Sequence, residues 1–346
     1  MFPARLGQLT VHNGRVTQRD SLPTIDVSSF AAGAGDSPER GRVAELIDGT
    51  CREIGFFLIT GHGVDPEKKA AMLGKAAEFF ALPIERKRAI AIEKSQAHRG
   101  YVGISAETLD SAAGGDLKET LDTGGEHGPD HPEVRANVPL FGPNQFPELP
   151  GFRETWDGYR IQAIEAAERV QRAMARALGM PDDHIVKLPG GETIYNLRLI
   201  HYPPQQAVRP KPGQLGCGAH TDYGTVTVLA DDGVGGLQVM RRDGTWIDVS
   251  APADAMVVNI GDLMAVWTND RWVSNPHRVI NPPDTDRYSM PLFVTPPFHA
   301  MISCLPTCQD EPPRYEPQQA GPYLLSRFDA THSYRNPLLA KLNGPQ

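Results

Sequence analysis

Apolar residues recur at helical spacing in the first half of the chain and alternate with polar ones in the second. Leu22-Pro23-Thr24-Ile25-Asp26-Val27 reads as a short strand entered by a proline. Asp36-Ser37-Pro38-Glu39 has a capping residue, a first-turn proline and an acid, so it predicts a helix running to about Glu53. Gly55 to Ile59 is a strand ended by Gly61-His62-Gly63, and Asp65 starts a second helix that carries Met72, Leu73, Ala76, Phe79 and Phe80 on one face. Gly124 to Pro150 reads as a loop or linker. Gly151 to Met180 is a long amphipathic helix with the stripe Ile164, Ala167, Val170, Met174 and Leu178, a buttress for a sheet. From Glu192 on, short β-like runs dominate: Thr193–Tyr202, Thr225–Val228, a hairpin of Leu237–Met240 and Thr245–Val249 around Asp243-Gly244, then Ala255–Ile260, Leu263–Thr268, His277–Asn281 and Tyr288–Val294. Gly321 to Thr331 predicts a C-terminal helix.

So many short strands between turn residues imply a closed or double-sheet β architecture. The expected fold is α+β with a mainly β core, a double-stranded β-helix (jelly roll) flanked by N-terminal helices and a C-terminal helix. Residues 1–150 form the N-terminal region, of helices and short strands packed on the core. Residues 151–346 form the jelly-roll core with its buttress helix and C-terminal lid segment.

Composition narrows the partners. The 346 residues carry a net charge of −8, which argues against nucleic acid or an anionic membrane as partner. No run approaches the 18 or more apolar residues of a membrane span, and Met1 to Thr10 does not read as a secretory signal. The four cysteines, Cys51, Cys217, Cys304 and Cys308, form no CxxC pair and suit a reduced, cytoplasmic setting. A small-molecule substrate and a monomer or weak homo-oligomer are expected.

The chemistry concentrates between His220 and Ser289. On a strand, residues i and i+2 share a face, so His220 and Asp222 can converge on one point. His277 follows 55 residues after Asp222. Two histidines and a carboxylate on one face of a metal form the facial triad of non-haem Fe(II) oxygenases, with positions left open for O2 and a co-substrate. Ten residues past His277 stands Arg287, suited to gripping a carboxylate in two-pronged fashion, and Ser289 adds a hydroxyl on the same face.

HTDYGTVTVLADDGVGGLQV, NIGDLMAVWTNDRWVSNPHRV and RYS, in that order and spacing, resemble the isopenicillin N synthase-like Fe(II)/2-oxoglutarate-dependent dioxygenase superfamily. IDV…GFFLITGHGV extends the resemblance to the N-terminal third. It implies the jelly roll, and Fe(II) held by His220, Asp222 and His277. It also implies 2-oxoglutarate held by Arg287 and Ser289 with help from Tyr202, and O2 as oxidant. The reaction implied is oxidation of a small molecule (hydroxylation, desaturation or cyclisation) with release of succinate and CO2. Plant relatives read Asn-Tyr-Tyr-Pro where this chain has Ile200, His201, Tyr202 and Pro203, a departure that weakens a plant-type substrate assignment. Two rivals remain. An isopenicillin N synthase-type oxidase would use O2 without 2-oxoglutarate, its Arg and Ser holding the substrate and the terminal Gln346 a candidate extra ligand. A non-catalytic ligand-binding protein could keep the fold without the chemistry.

Other residues invite site readings. His62, between two glycines, reads as a turn residue, and His127 and His131 as surface residues. His201 should face away from Tyr202, and Lys118 and Glu119 should point to opposite sides. Cys217 should lie near the metal without ligating it, and Cys304 and Cys308 read as packing residues. The substrate wall is expected from Tyr101–Ser105, Leu117–Thr123, Tyr195–Arg198, Phe293 and the C-terminal segment, with Arg198 a candidate for an acidic substrate group.

Overall fold

The computed structural model describes residues 21–336, so the N-terminal ten residues and Gln346 lie outside it. In chain order come β1 (Thr24–Asp26), α1 (Pro38–Glu53), β2 (Phe56–Thr60), α2 (Pro66–Phe80), β3 (Gly100–Val102) and β4 (Glu119–Thr123). Next are α3 (Phe152–Ala177), β5 (Ile194–Tyr202), β6 (Cys217–His220), β7 (Val226–Asp231), β8 (Leu237–Met240) and β9 (Trp246–Asp248). The chain continues through β10 (Met256–Ile260), α4 (Asp262–Trp267), β11 (His277–Val279), β12 (Arg287–Thr295) and α5 (Ala320–Thr331).

Local chemistry accounts for the helix starts. Pro38 occupies the first turn of α1, and the Asp65 carboxylate accepts from Glu67 N at 2.8 Å ahead of α2. Gly244 supplies the positive φ (+84°) that the β8–β9 turn requires.

An eight-stranded sheet, in the order β1-β2-β10-β7-β12-β5-β4-β3, faces a four-stranded sheet, β6-β11-β8-β9. Strands from the first 150 residues complete the larger sheet: β2 pairs with β10 and β4 with β5. Helix α3 packs beneath that sheet against β7, β12, α1 and α2, as the buttress reading expects. Val170, Ala167 and Met174 of its stripe are fully buried there. The other side of the larger sheet and the inner side of the smaller one enclose the site.

One predicted strand is a helix. Leu263–Thr268 falls in α4, where Leu263, Met264, Val266 and Trp267 are buried. An unbroken apolar run satisfies either period, so the pattern could not decide. The turn does: Asp262 N donates to Asp222 O at 2.7 Å and Ala265 N to Gly261 O at 3.2 Å, which starts a helical turn.

Candidate metal centre and co-substrate pocket

His220 is the last residue of β6, and Asp222 lies beyond it in the connection to β7, just before a bend. The two therefore do not share a strand face; a strand end and a bend bring them together. His277 opens β11 directly opposite His220 in the antiparallel register, with ring centroids 4.2 Å apart. Asp222 Oδ1 stands 3.7 Å from His220 Nε2 and 3.8 Å from His277 Nε2, so three donor atoms surround one point.

Neighbours fix how those donors face. His220 Nδ1 is 2.8 Å from Gly218 O and His277 Nδ1 is 3.3 Å from Asn275 O. Carbonyls accept only, so both Nδ1 atoms carry the proton and both Nε2 lone pairs turn inward. The other Asp222 oxygen accepts from Thr227 Oγ1 at 2.5 Å and Asn259 Nδ2 at 2.7 Å. That leaves Oδ1 free toward the imidazoles. Burial would raise the Asp222 carboxyl, but the imidazoles and these two donors outweigh it and hold it below its usual range. Burial, then the neighbouring His220 ring, pushes His277 down to about 4. Ionised carboxylate and neutral imidazole are the forms that bind metal. The donor set of two nitrogens and one oxygen with an open side fits Fe(II).

Arg287 opens β12 and is 0% exposed. Its Nη1 donates to Ser289 Oγ at 3.4 Å, while Nε and Nη2 have no hydrogen-bond partner. The Asp231 carboxylate is 3.7 Å from Nη2, beyond hydrogen-bond range. Tyr202 lies beneath the guanidinium, 4.8 Å from its carbon to the ring centroid. Arg287, Tyr202 and all three triad residues line one hollow; Ser289 backs Arg287 without lining it. A buried cation with unmet donors facing a metal-binding cluster fits a carboxylate ligand such as 2-oxoglutarate.

A second hollow adjoins His220 and Asp222, walled by Glu107, Leu109, Ile194, Asn196, Arg198, Phe293, Leu324 and Phe328 among others. Asn196, Arg198, Phe293 and the C-terminal helix are where the sequence reading placed them. Tyr101–Ser105 are not: Tyr101 donates to Glu119 at 2.6 Å, on the far side of the sheet. Glu107 and Leu109 were missed because they come from the loop after β3, which folds back on the pocket, and Ile194 because it opens β5 one residue before the expected Tyr195–Arg198 wall. Arg198 faces the hollow but is held by Asp122 at 2.8 Å and Glu107 at 3.2 Å.

Lys118 and Glu119 do point opposite ways. Lys118 lies on the metal side, pinned by Asp116 (2.5 Å) and Glu107 (2.9 Å) and 3.3 Å from Cys217 Sγ. Glu119 faces Lys87, Tyr101 and His201. His62 caps its own turn, accepting from Val64 N at 3.1 Å. His127 and His131 are not free surface residues. They pack against Phe141 and meet Glu192, because the loop folds onto the start of β5. Thr227 and Asn259 also escaped the sequence reading, although Asn259 opens the NIGD motif.

The profile of the 2OG-Fe(II) oxygenase superfamily matches residues 193–296, and that of the non-haem dioxygenase in morphine synthesis N-terminal region matches residues 22–149. The chain belongs to the 2OG-Fe(II) oxygenase superfamily. Such oxygenases use Fe(II), 2-oxoglutarate and O2, and this chain is one of them by sequence and by fold. It is 36% identical over 302 residues to a 2-oxoglutarate-Fe(II) type oxidoreductase of Emericella nidulans, covering 85% of this chain and 86% of that one. A homoarginine-6-hydroxylase of Oryza sativa is 29% identical over 321 residues, covering 89% and 96%. A full-length Neurospora crassa protein solved in complex with alpha-KG and thymine superposes with TM-score 0.77 at 30% identity, covering 91% and 98%. The relatives favour the oxygenase over an oxidase without co-substrate and over a binder without chemistry. Among the described residues, no helix is long and apolar enough to cross a membrane.

Proposed function

We propose that His220, Asp222 and His277 hold the Fe(II) of this oxygenase and that Arg287 receives the far carboxylate of 2-oxoglutarate. The observation that carries this is the unmet Nε and Nη2 of a fully buried Arg287, in one hollow with the triad. Ser289 orients the guanidinium, and Tyr202 supports its face. When bound, Fe(II) with 2-oxoglutarate and O2 supplies the oxidant that takes a hydrogen from the substrate, with release of succinate and CO2. The chain's own part is to orient the donors, keep them in the binding protonation state and exclude water.

The substrate lies in the adjoining hollow, between Phe293 and the Leu324–Phe328 face of α5. Asn196 Oδ1 is buried there without a partner, while its amide nitrogen binds Asp122 at 3.2 Å. That supports a compact molecule offering an N–H or O–H donor, in keeping with the thymine in the Neurospora neighbour. The described part of residues 1–150 completes the larger sheet and the mouth, and the metal and co-substrate ligands come from the 151–346 region. The enzyme works in the cytoplasm as a monomer or weak homo-oligomer, without nucleic acid or membrane. The test is turnover across nitrogen heterocycles and hydroxylated small acids, reading succinate and product mass together. A product richer by one oxygen, formed one-for-one with succinate, supports the reading; succinate unaffected by every N–H or O–H donor in the panel would contradict it.

A further inference from the structure

His127, His131 and Glu192 converge away from the triad and share no residue with it. The histidines come from the Gly- and Pro-rich stretch after β4, and Glu192 from the turn that enters β5 after Gly190 and Gly191, both at positive φ. Glu192 gives one oxygen to each ring: Oε2 is 3.2 Å from His127 Nε2 and Oε1 is 3.5 Å from His131 Nε2. Metal–ligand bonds of about 2.0–2.2 Å place tetrahedral neighbours roughly 3.3–3.5 Å apart; one donor atom from each of the three side chains lies within 4.8 Å of the others, so a small inward movement would close the set around an ion. Phe141 packs on both rings, at 5.0 and 5.7 Å, and restricts their orientation. His127 Nδ1 is buried with no partner.

We propose that these three side chains form a second metal site, of the zinc class. Two imidazoles and a carboxylate suit zinc and leave one position for water or an anion. Burial, chiefly, keeps His127 below its usual pKa, so its ring is neutral and able to ligate at neutral pH.

Three features oppose tight binding. Ligation through Nε2 puts the proton on His127 Nδ1, which is buried without an acceptor. His131 Nδ1 accepts from Glu133 N at 3.3 Å, a bond given up when Nε2 ligates and the proton moves to Nδ1. Arg99 adds positive charge beside His127. The ion is therefore exchangeable. Its place gives it a role. It ties the loop carrying Leu140 and Phe141 to the start of β5, and these residues cluster with Ile194, Phe298, Leu324 and Phe328 at the substrate mouth. Ile194 lines both this pocket and the substrate hollow. Occupancy would stiffen one wall of the entrance.

The test is equilibrium dialysis of the full chain against micromolar Zn(II), with metal counted by mass spectrometry. Wild type, Asp222→Ala, Glu192→Gln and His131→Asn are compared; the Asn keeps an acceptor for Glu133 N. We expect two zinc ions in wild type and one in each variant: the second-site ion in Asp222→Ala, and the triad ion in Glu192→Gln and His131→Asn, whose far-UV circular dichroism and Fe(II) binding stay at wild-type level. We also expect zinc to slow hydrogen exchange over residues 124–141 in Asp222→Ala. No zinc in Asp222→Ala, two zinc ions retained by Glu192→Gln, or zinc bound by Asp222→Ala only at millimolar concentration overturns the proposal. Since Asp222→Ala removes only the triad, failure here is separable from failure of the catalytic reading.

Discussion

Arg287 and Tyr202 are register partners across the antiparallel pair β12–β5, with the guanidinium carbon 4.8 Å from the centre of the phenol ring. The pairing fixes a fully buried cation on an aromatic face with two of its donor atoms unmet. The Asp231 carboxylate, 3.7 Å from Nη2, offsets part of the charge but leaves those donors without a hydrogen bond, which costs a buried group free energy until an acceptor meets them. The same hollow holds His220, Asp222 and His277, so an anion that met those donors would lie beside these three side chains.

Removing any metal donor should abolish turnover. His220→Ala, Asp222→Ala and His277→Ala are each expected to lose Fe(II) binding while keeping the wild-type circular dichroism spectrum. Iron affinity measured anaerobically checks this, and normal affinity in any one variant would remove that residue from the site.

Thr227 and Asn259 hold the non-ligating oxygen of Asp222. Losing such outer partners typically weakens metal affinity about 10–100-fold. Asn259→Ala and Thr227→Val should fall in that range, with 2-oxoglutarate affinity at saturating iron nearly unchanged. Iron affinity within twofold of wild type would show that Asp222 needs no such support.

Phe328 closes the substrate hollow and stacks on His98 at 3.9 Å. Phe328→Ala should cost about 3–5 kcal/mol if the gap cannot collapse. It should also raise the ratio of succinate to product, because an open mouth wastes oxidation events. An unchanged ratio would mean that α5 is no lid.

His98 and His332 give a pH dependence. Burial first, then the charge of His332 and the nearby arginines, holds His98 well below its usual value, and burial likewise lowers His332. A folded-state pKa below the unfolded one means that the unfolded chain takes up protons first. Stability is therefore full above the unfolded value of about 6.5 and falls as pH drops below it. Melting temperature should decline from pH 7 to pH 5, and His98→Gln should flatten that slope. A slope unaffected by His98→Gln would assign the acid sensitivity elsewhere.

Much of the site could be read from the order of motifs, because the triad residues and Arg287 sit on or beside strand segments whose spacing the sequence preserves. Helices α1, α2 and α3 were legible through caps and periodicity. What escaped depended on contacts distant in sequence. The α4 helix hid in an apolar run that suits either period. The i, i+2 rule puts Asp222 on a strand although it lies past the end of β6, because the rule cannot see where β6 ends. Glu107 and Leu109 reach the pocket only through the folding-back of a loop. His127 and His131 looked exposed in a Gly- and Pro-rich stretch, yet meet Glu192 61 residues past His131.

The most direct measurement is 2-oxoglutarate dependence in wild type and Arg287→Ala, with Fe(II), O2 and a turned-over substrate. Losing a charged hydrogen bond of this kind costs on the order of 2–5 kcal/mol, roughly tens- to thousands-fold in affinity. Arg287→Lys should recover only part, because an ammonium cannot reproduce the planar fork. We predict that wild type consumes 2-oxoglutarate and releases succinate, and that the Arg287→Ala defect lies chiefly in apparent affinity for 2-oxoglutarate. Product formed at full rate without 2-oxoglutarate, or an Arg287→Ala defect confined to the affinity for primary substrate, would contradict the account.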